Sequence, residues 1–211
     1  MFKYLNRMKN GEHVVIVCIG DSITEVNDST HGKHNYCGLL GLKLLERFGR
    51  VFTMVNVGVS ENSTDDVLAR LDRDVIRHCP DFVTVMIGMN DAVKGQENLD
   101  NYKCNLKQIL ERIQNIGAEV LLLTPNPLSF EIEDNYQRRS FYPRYVDEIR
   151  QIADELHVPL CDIYRIWEDD VSTENVCKKT YNYWRLMDDH IHPNESGHAL
   201  IAKSIFEFLG I

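Results

Sequence analysis

Five short runs of this 211-residue chain, Val14–Ile19, Val51–Val55, Phe82–Ile87, Glu119–Leu123 and Leu160–Cys161, are rich in Val, Ile and Leu and mostly continuous rather than alternating. A strand with one wet face alternates; a strand covered on both faces does not, so these runs read as strands of a parallel sheet. Stretches of helical period lie between them. Leu39, Leu40, Leu42, Leu44, Leu45 and Phe48 populate one helix closed by Gly49, and Leu106, Ile109, Leu110, Ile113 and Ile116 stripe another that stops at Gly117. Tyr145, Ile149, Ile152, Ala153 and Leu156 mark a further helix, and the last runs from about Ser196 to Leu209. A shorter one around Val67, Leu71 and Val75 ends before Pro80-Asp81, which punctuates the return into the third strand.

Alternating strand and helix that must bury both faces of a sheet give an α/β fold, a three-layer α/β/α sandwich with right-handed crossovers. With no internal repeat, low-complexity tract or linker, residues 1–211 read as a single domain. Two longer irregular stretches, Pro125 to Tyr142 and Asp169 to Asp188, are expected to wall a pocket.

A net charge of −9 argues against nucleic acid and anionic membranes as partners, because such surfaces are met by basic patches. Arg138-Arg139 and Lys178-Lys179 are the only short basic candidates. The apolar run after the charged segment Met1 to Glu12 is too short for a secretory core or a membrane span, so no stable membrane insertion is expected and the expected location is the cytoplasm. The cysteines Cys18, Cys37, Cys79, Cys104, Cys161 and Cys177 are dispersed without a CxxC pair and read as free thiols.

Ligands of an open α/β sheet bind beyond the carboxyl ends of its strands, and polar residues gather at those ends here. Gly20-Asp21-Ser22 follows the first run, Asn56-Val57-Gly58 the second, Gly88-Met89-Asn90-Asp91 the third, and Asn126 the fourth. Ser22 is the candidate nucleophile; a serine hydroxyl needs a general base within hydrogen-bond reach. Near the C-terminus, Asp189-His190-Ile191-His192-Pro193 supplies a histidine with a carboxylate three residues earlier, near enough to fix its tautomer. His192 and Asp189 are the candidate base and acid, with His190 and Asp188 as rivals. Each piece also has a plainer reading: Gly-Asp-Ser as a strand-to-helix turn, Asn90-Asp91 as a helix cap, Gly58 as a turn glycine. A metal held by His190, His192 and an aspartate is a further alternative, without the spacing of a zinc motif.

Together the four blocks resemble the SGNH hydrolases, also called GDSL-type esterases and lipases, whose pattern is a GDS block, a glycine in a second block, a GxND block and a DxxHP block near the C-terminus. All four stand in order between Gly20 and Pro193. The resemblance implies a flavodoxin-like sandwich with a five-stranded parallel sheet. It makes Ser22 the nucleophile, His192 the base and Asp189 its orienting acid. Ser22 N–H, Gly58 N–H and the Asn90 amide become the oxyanion hole. The implied reaction is hydrolysis of a small-molecule ester through an acyl-serine, with no metal and no organic cofactor. One departure stands out: the second block often continues as Ser-Gly, whereas Ser60 here precedes Glu61.

The resemblance spans carbohydrate acetylesterases, short-chain esterases, lysophospholipases and thioesterases. The acidic, anchor-free chain points toward a short-acyl, acetyl ester, such as that of a sugar. Lysophospholipase or acyl-thioesterase activity is the alternative, and a non-catalytic binding module on the same fold is the alternative of another class. Phe130, Ile132, Phe141, Tyr142, Trp167, Tyr181, Tyr183 and Trp184 are available to line an acyl groove, to stack on sugar rings, or to pack the loops down.

Overall fold

The computed structural model describes residues 2–26, 28–129, 133–172 and 184–211. Strands β1 (Val14–Gly20), β2 (Phe52–Asn56), β3 (Phe82–Met86), β4 (Glu119–Leu123) and β5 (Leu160–Cys161) form one sheet in the order β2-β1-β3-β4-β5, with every neighbouring pair parallel. This is the flavodoxin-like order expected. The central strands β1 and β3 are buried almost throughout, while the edge strand β2 is half-buried, as the continuous and the more mixed apolar runs require.

Among the described residues the α-helices are α1 (Lys3–Lys9), α2 (Tyr36–Phe48), α3 (Thr64–Asp74), α4 (Leu99–Asn115), α5 (Tyr136–Glu155), α6 (Ile163–Ser172) and α7 (Glu195–Leu209). They touch in two groups, α2 with α7 and α6 with α7, then α3 with α4 and α4 with α5, one group for each sheet face. Their ends are set locally. Asn35 caps α2 by accepting from Gly38 N–H, and Gly49 at φ 75° stops it. Ser63 and Asp66 form a reciprocal capping box at α3. Asn194 caps α7 by accepting from the N–H groups of Ser196 and Gly197.

Three sequence expectations need correction. The stretch from Pro125 to Tyr142 is irregular only in part, because α5 begins at Tyr136, capped by Asn135, and runs through Pro143. Proline inside a helix removes one backbone bond. Burial of Tyr142, Tyr145, Val146 and Ile149 along one face outweighs that loss. The second stretch also starts as helix, since α6 extends to Ser172. Finally, α1 occupies what reads as a merely charged segment. It buries Tyr4, Leu5 and Met8, stacks Tyr4 on Phe82 with ring centroids 4.2 Å apart, and donates its first N–H groups, those of Lys3 and Tyr4, to the Glu119 carboxylate.

The aromatic residues divide similarly. Trp167 and Tyr142 are fully buried, so they are core and line no groove, and Tyr142 donates its hydroxyl to the Asn126 carbonyl. Phe141 is half-buried under the Arg144 guanidinium, and Trp184 is exposed. Phe130, Ile132, Tyr181, Tyr183, Cys177 and the Lys178-Lys179 pair lie outside the described residues. Arg138 is no open basic patch: it is buried against Glu133. Cys18, Cys37 and Cys161 are buried free thiols, and Cys79 and Cys104 exposed ones. Among the described residues, no helix is long and apolar enough to cross a membrane.

Candidate active site

The register of the sheet brings the polar blocks to one edge. Cys18 of β1 lies opposite Asn56 of β2, and Gly20 opposite Met86 of β3, so the chain leaves three adjacent strands side by side. After Gly20 it turns at once: the Asp21 carbonyl accepts from Thr24 and Glu25 N–H, and Asp21 Oδ1 accepts from Ile23 N–H at 3.0 Å. Gly20 must be glycine, because a Cβ there would run into Thr24 and the Met86 carbonyl. Ser22 sits half-exposed on this turn.

His192 Nε2 lies 2.9 Å from Ser22 Oγ, and His192 Nδ1 lies 2.7 Å from Asp189 Oδ2. The other oxygen of Asp189 accepts from the N–H groups of Ile191 and His192, at 2.6 and 2.7 Å, so the loop folds around its own carboxylate. Outside partners hold that loop. Asn126 Nδ2 donates to the Ile191 carbonyl at 3.0 Å, Ser129 N–H to the His190 carbonyl at 2.9 Å, and Asn194 Nδ2 to the Met187 carbonyl at 3.1 Å. Asn126 was visible in the sequence only as a polar residue after the fourth strand.

The rivals point elsewhere. His190 Nε2 faces Glu133 at 3.8 Å, and Asp188 pairs with His31 at 2.9 Å. The two histidines thus diverge, which separates the ligands of a His190–His192 metal site. Glu133, Asp134 and His190 do have ligand atoms within 4.8 Å of one another. The Glu133 carboxylate there already accepts from Arg138 Nε at 2.6 Å and Asn135 N–H at 2.8 Å, and the guanidinium opposes a second cation.

Charge is arranged around the histidine. Burial pulls the Asp189 carboxyl upward, but the bonds from the His192 ring and from two amides outweigh it and hold the group well below the usual carboxylate range. The Asp189 bond, opposed by partial burial, raises the imidazole of His192 above its ordinary 6.5. Asp21 behaves oppositely. Fully buried, with its Oδ2 lacking a hydrogen-bond partner among the described residues, it is pushed up to about 7 by desolvation.

The other two blocks lie at the same edge. Gly58 packs so closely on Thr24 and Glu25 that a Cβ would strike their backbone, and its N–H donates to Asn56 Oδ1 at 2.9 Å. Asn56 Nδ2 in turn donates to the Thr24 carbonyl at 2.7 Å. Asn90 donates one amide hydrogen to the Asn62 carbonyl at 3.1 Å. Its neighbour Asp91, fully buried, accepts from Thr64 N–H and Oγ1, tying the third block to the start of α3. Asn62 and Thr64 carried no signal in the sequence beyond ordinary loop and cap residues. Glu61, at the departure from the second block, is exposed with φ 64°, in the left-handed region that glycine occupies most readily.

Comparison with known proteins identifies the family. The GDSL-like lipase/acylhydrolase family model matches residues 18–200. An acetylxylan esterase from Geobacillus stearothermophilus is 27% identical over 96% of this chain and 97% of its own length. Its crystal structure superposes with a TM-score of 0.76 at 25% identity, covering 95% of this chain and 96% of that one. Solved variants of that esterase described as catalytic mutants replace a serine, an aspartate or a histidine by alanine. The thioesterase 1/protease 1/lysophospholipase L1 of Escherichia coli is 30% identical over 71% of this chain and 64% of its own length. The chain belongs to the GDSL-like lipase/acylhydrolase family and is a carboxylic ester hydrolase.

Proposed function

We propose that this protein is a serine esterase of short-acyl, chiefly acetyl, esters of carbohydrates, with Ser22 as nucleophile, His192 as general base and Asp189 as orienting acid. The observation that carries the assignment is the continuous hydrogen-bonded line from Ser22 Oγ through the His192 ring to Asp189, at 2.9 and 2.7 Å. Asp189 accepts the Nδ1 proton, which leaves Nε2 as the lone-pair acceptor facing the serine hydroxyl. As Ser22 attacks the acyl carbon, its proton passes to Nε2, and the imidazolium is stabilised by the ionised Asp189. The tetrahedral oxyanion is assigned to Ser22 N–H, the Asn90 amide and Gly58 N–H, the last of which donates to Asn56 Oδ1 at 2.9 Å and must leave it to take part. His192 then gives its proton to the departing alcohol, and water hydrolyses the acyl-serine by the same route reversed. Every proton in the cycle is carried by these residues, so no cofactor enters the scheme. We further infer a single-domain, cytoplasmic enzyme, for which the free thiols are the supporting feature.

The acetyl-carbohydrate assignment rests on likeness along nearly the full length of an acetylxylan esterase. Similarity to a thioesterase and lysophospholipase supports a second reading, in which longer acyl chains are accepted. Measuring kcat/KM across p-nitrophenyl esters from C2 to C12, beside acetylated xylose and a lysophospholipid, separates the two. The first reading expects the highest values at C2 and on acetylated xylose. A steep rise toward C8–C12 overturns it, because a real acyl groove gains about 0.8 kcal/mol per buried CH₂. Rapid, stoichiometric labelling by an organophosphonate ester that is absent in S22A tests the nucleophile. Labelling that persists in S22A rejects it.

A further inference from the structure

Arg70 lies on α3, outside all four sequence blocks, yet its buried guanidinium touches the first two of them and reaches the third through Asn62. Nη2 donates to the Gly20 carbonyl at 3.1 Å, Nη1 to the Val57 carbonyl at 2.7 Å, and Nε to Asn62 Oδ1 at 2.7 Å. Asp74, one helical turn on, accepts from Nη1 at 3.1 Å and balances the charge. We propose that Arg70 is a positioning residue of the oxyanion hole, aiming its side-chain donor, the Asn90 amide. This rests on the assignment of Asn90 to that hole.

The Val57 contact fixes one peptide unit, whose Gly58 N–H points away from Arg70 and donates to Asn56 Oδ1 at 2.9 Å. The route to the oxyanion hole runs through Asn62. Its side-chain oxygen is held by Arg70, and its own carbonyl accepts from the Asn90 amide, so the position of Asn90 is referred to the same guanidinium. The Gly20 contact adds the strand end just ahead of Asp21-Ser22 to the set. Only a planar fork with five donors meets this many acceptors at once; a lysine in its place is a point charge on a flexible stem.

The test is a mutant cycle between R70A and N90A, with R70K and R73A beside it, read as kcat, KM, the rate of organophosphonate labelling and thermal stability. Arg73 is exposed and pairs only with Asp74 among the described residues, so R73A reports the effect of removing a cation from the same helix. R70A is expected to lose about 10- to 100-fold in kcat with KM within about threefold, since displaced oxyanion donors act on the transition state and not on ground-state binding. Labelling should slow in the same ratio, guanidinium ion added to R70A should restore part of the loss, and the R70A/N90A double variant should lose less than the product of the two single losses. R73A should keep wild-type kcat. If R70A does not fold, R70K enters the cycle in its place, with the same expectations of reduced kcat and non-multiplicative loss. Wild-type kcat in folded R70A, or losses that simply multiply with those of N90A, overturns the role of Arg70. An N90A variant with undiminished kcat overturns the oxyanion assignment itself, and the Arg70 inference with it.

Discussion

His31 Nε2 and a carboxylate oxygen of Asp188 lie 2.9 Å apart, so the aspartate next in sequence to the one on His192 has a partner of its own. Asp189 sits instead on His192 Nδ1. Two adjacent aspartates are therefore separated in role by which imidazole each meets. D189N should lower kcat by about 10³–10⁴ with the fold intact, as expected when the acid that fixes a base's tautomer is lost. D188N should stay within about threefold of wild type. The same steady-state comparison of H192A with H190A should place the large loss on H192A. Equal losses in either pair reject the assignment.

The pH profile should report the Asp189–His192 bond directly. The base works as neutral imidazole, and the Asp189 hydrogen bond raises its pKa above 6.5, so kcat/KM should fall on the acid side with a midpoint above that value. Removing the carboxylate removes the leading cause of the rise. In D189N the residual activity should therefore lose its acid limb at a lower pH than wild type, even as the plateau drops. A midpoint that does not move when Asp189 is replaced shows that another group titrates.

Much of this arrangement was legible because the signals were local. The bounds of β4 and β5 and the end of α2 at Gly49 follow from side chains within a few positions of each other. What was missed depends on distant partners. Helix α1 is only seven residues long and acquires its packing from Phe82 and its N-terminal acceptor from Glu119. The first turns of α5, from Tyr136 to Tyr142, read as irregular because burial of their tyrosines is invisible until the sheet is in place. His190 was separated from His192 by Glu133, and Asp188 from Asp189 by His31, neither of which is near the fourth block in sequence. Arg70 looks like any arginine on a helix until the end of β1 and the loop after β2 converge on it.

Glu61 gives a measurable consequence of the one departure in the second block. A non-glycine residue at φ 64° is strained by its Cβ against the neighbouring carbonyl, by about 1–2 kcal/mol. Glycine relieves this but adds freedom to the unfolded chain, which offsets about 0.4–1 kcal/mol. E61G should therefore stabilise the protein by about 0.5–1 kcal/mol, read as a higher urea midpoint at unchanged slope. Because the side chain is exposed, kcat on a neutral acetyl ester should be unaltered. A lower midpoint for E61G would show that the glutamate makes contacts worth more than the strain.

Asp21 offers the sharpest test of electrostatics around the nucleophile. Burial raises its carboxyl to about 7, partly opposed by Ile23 N–H and by the charge of His192, while Asp91 adds to the rise. Asp91 is itself raised to about 6, again chiefly by burial. An unfolded aspartate ionises near 3.9, so between about pH 4 and pH 7 the folded protein holds a proton that the unfolded chain has released. Stability contributed by this group is then present below pH 4 and is lost as the pH rises to about 7, by an upper bound of about 4 kcal/mol. D21N keeps the shape and removes the titration. Its new amide faces the same space as the partnerless oxygen, which adds a cost independent of pH. The informative quantity is therefore the difference in Tm between D21N and wild type at two pH values. That difference should move in favour of D21N between pH 5 and pH 8. A difference that stays constant across this range means Asp21 is ionised in the folded protein throughout, and that the site carries a second full negative charge beside Ser22.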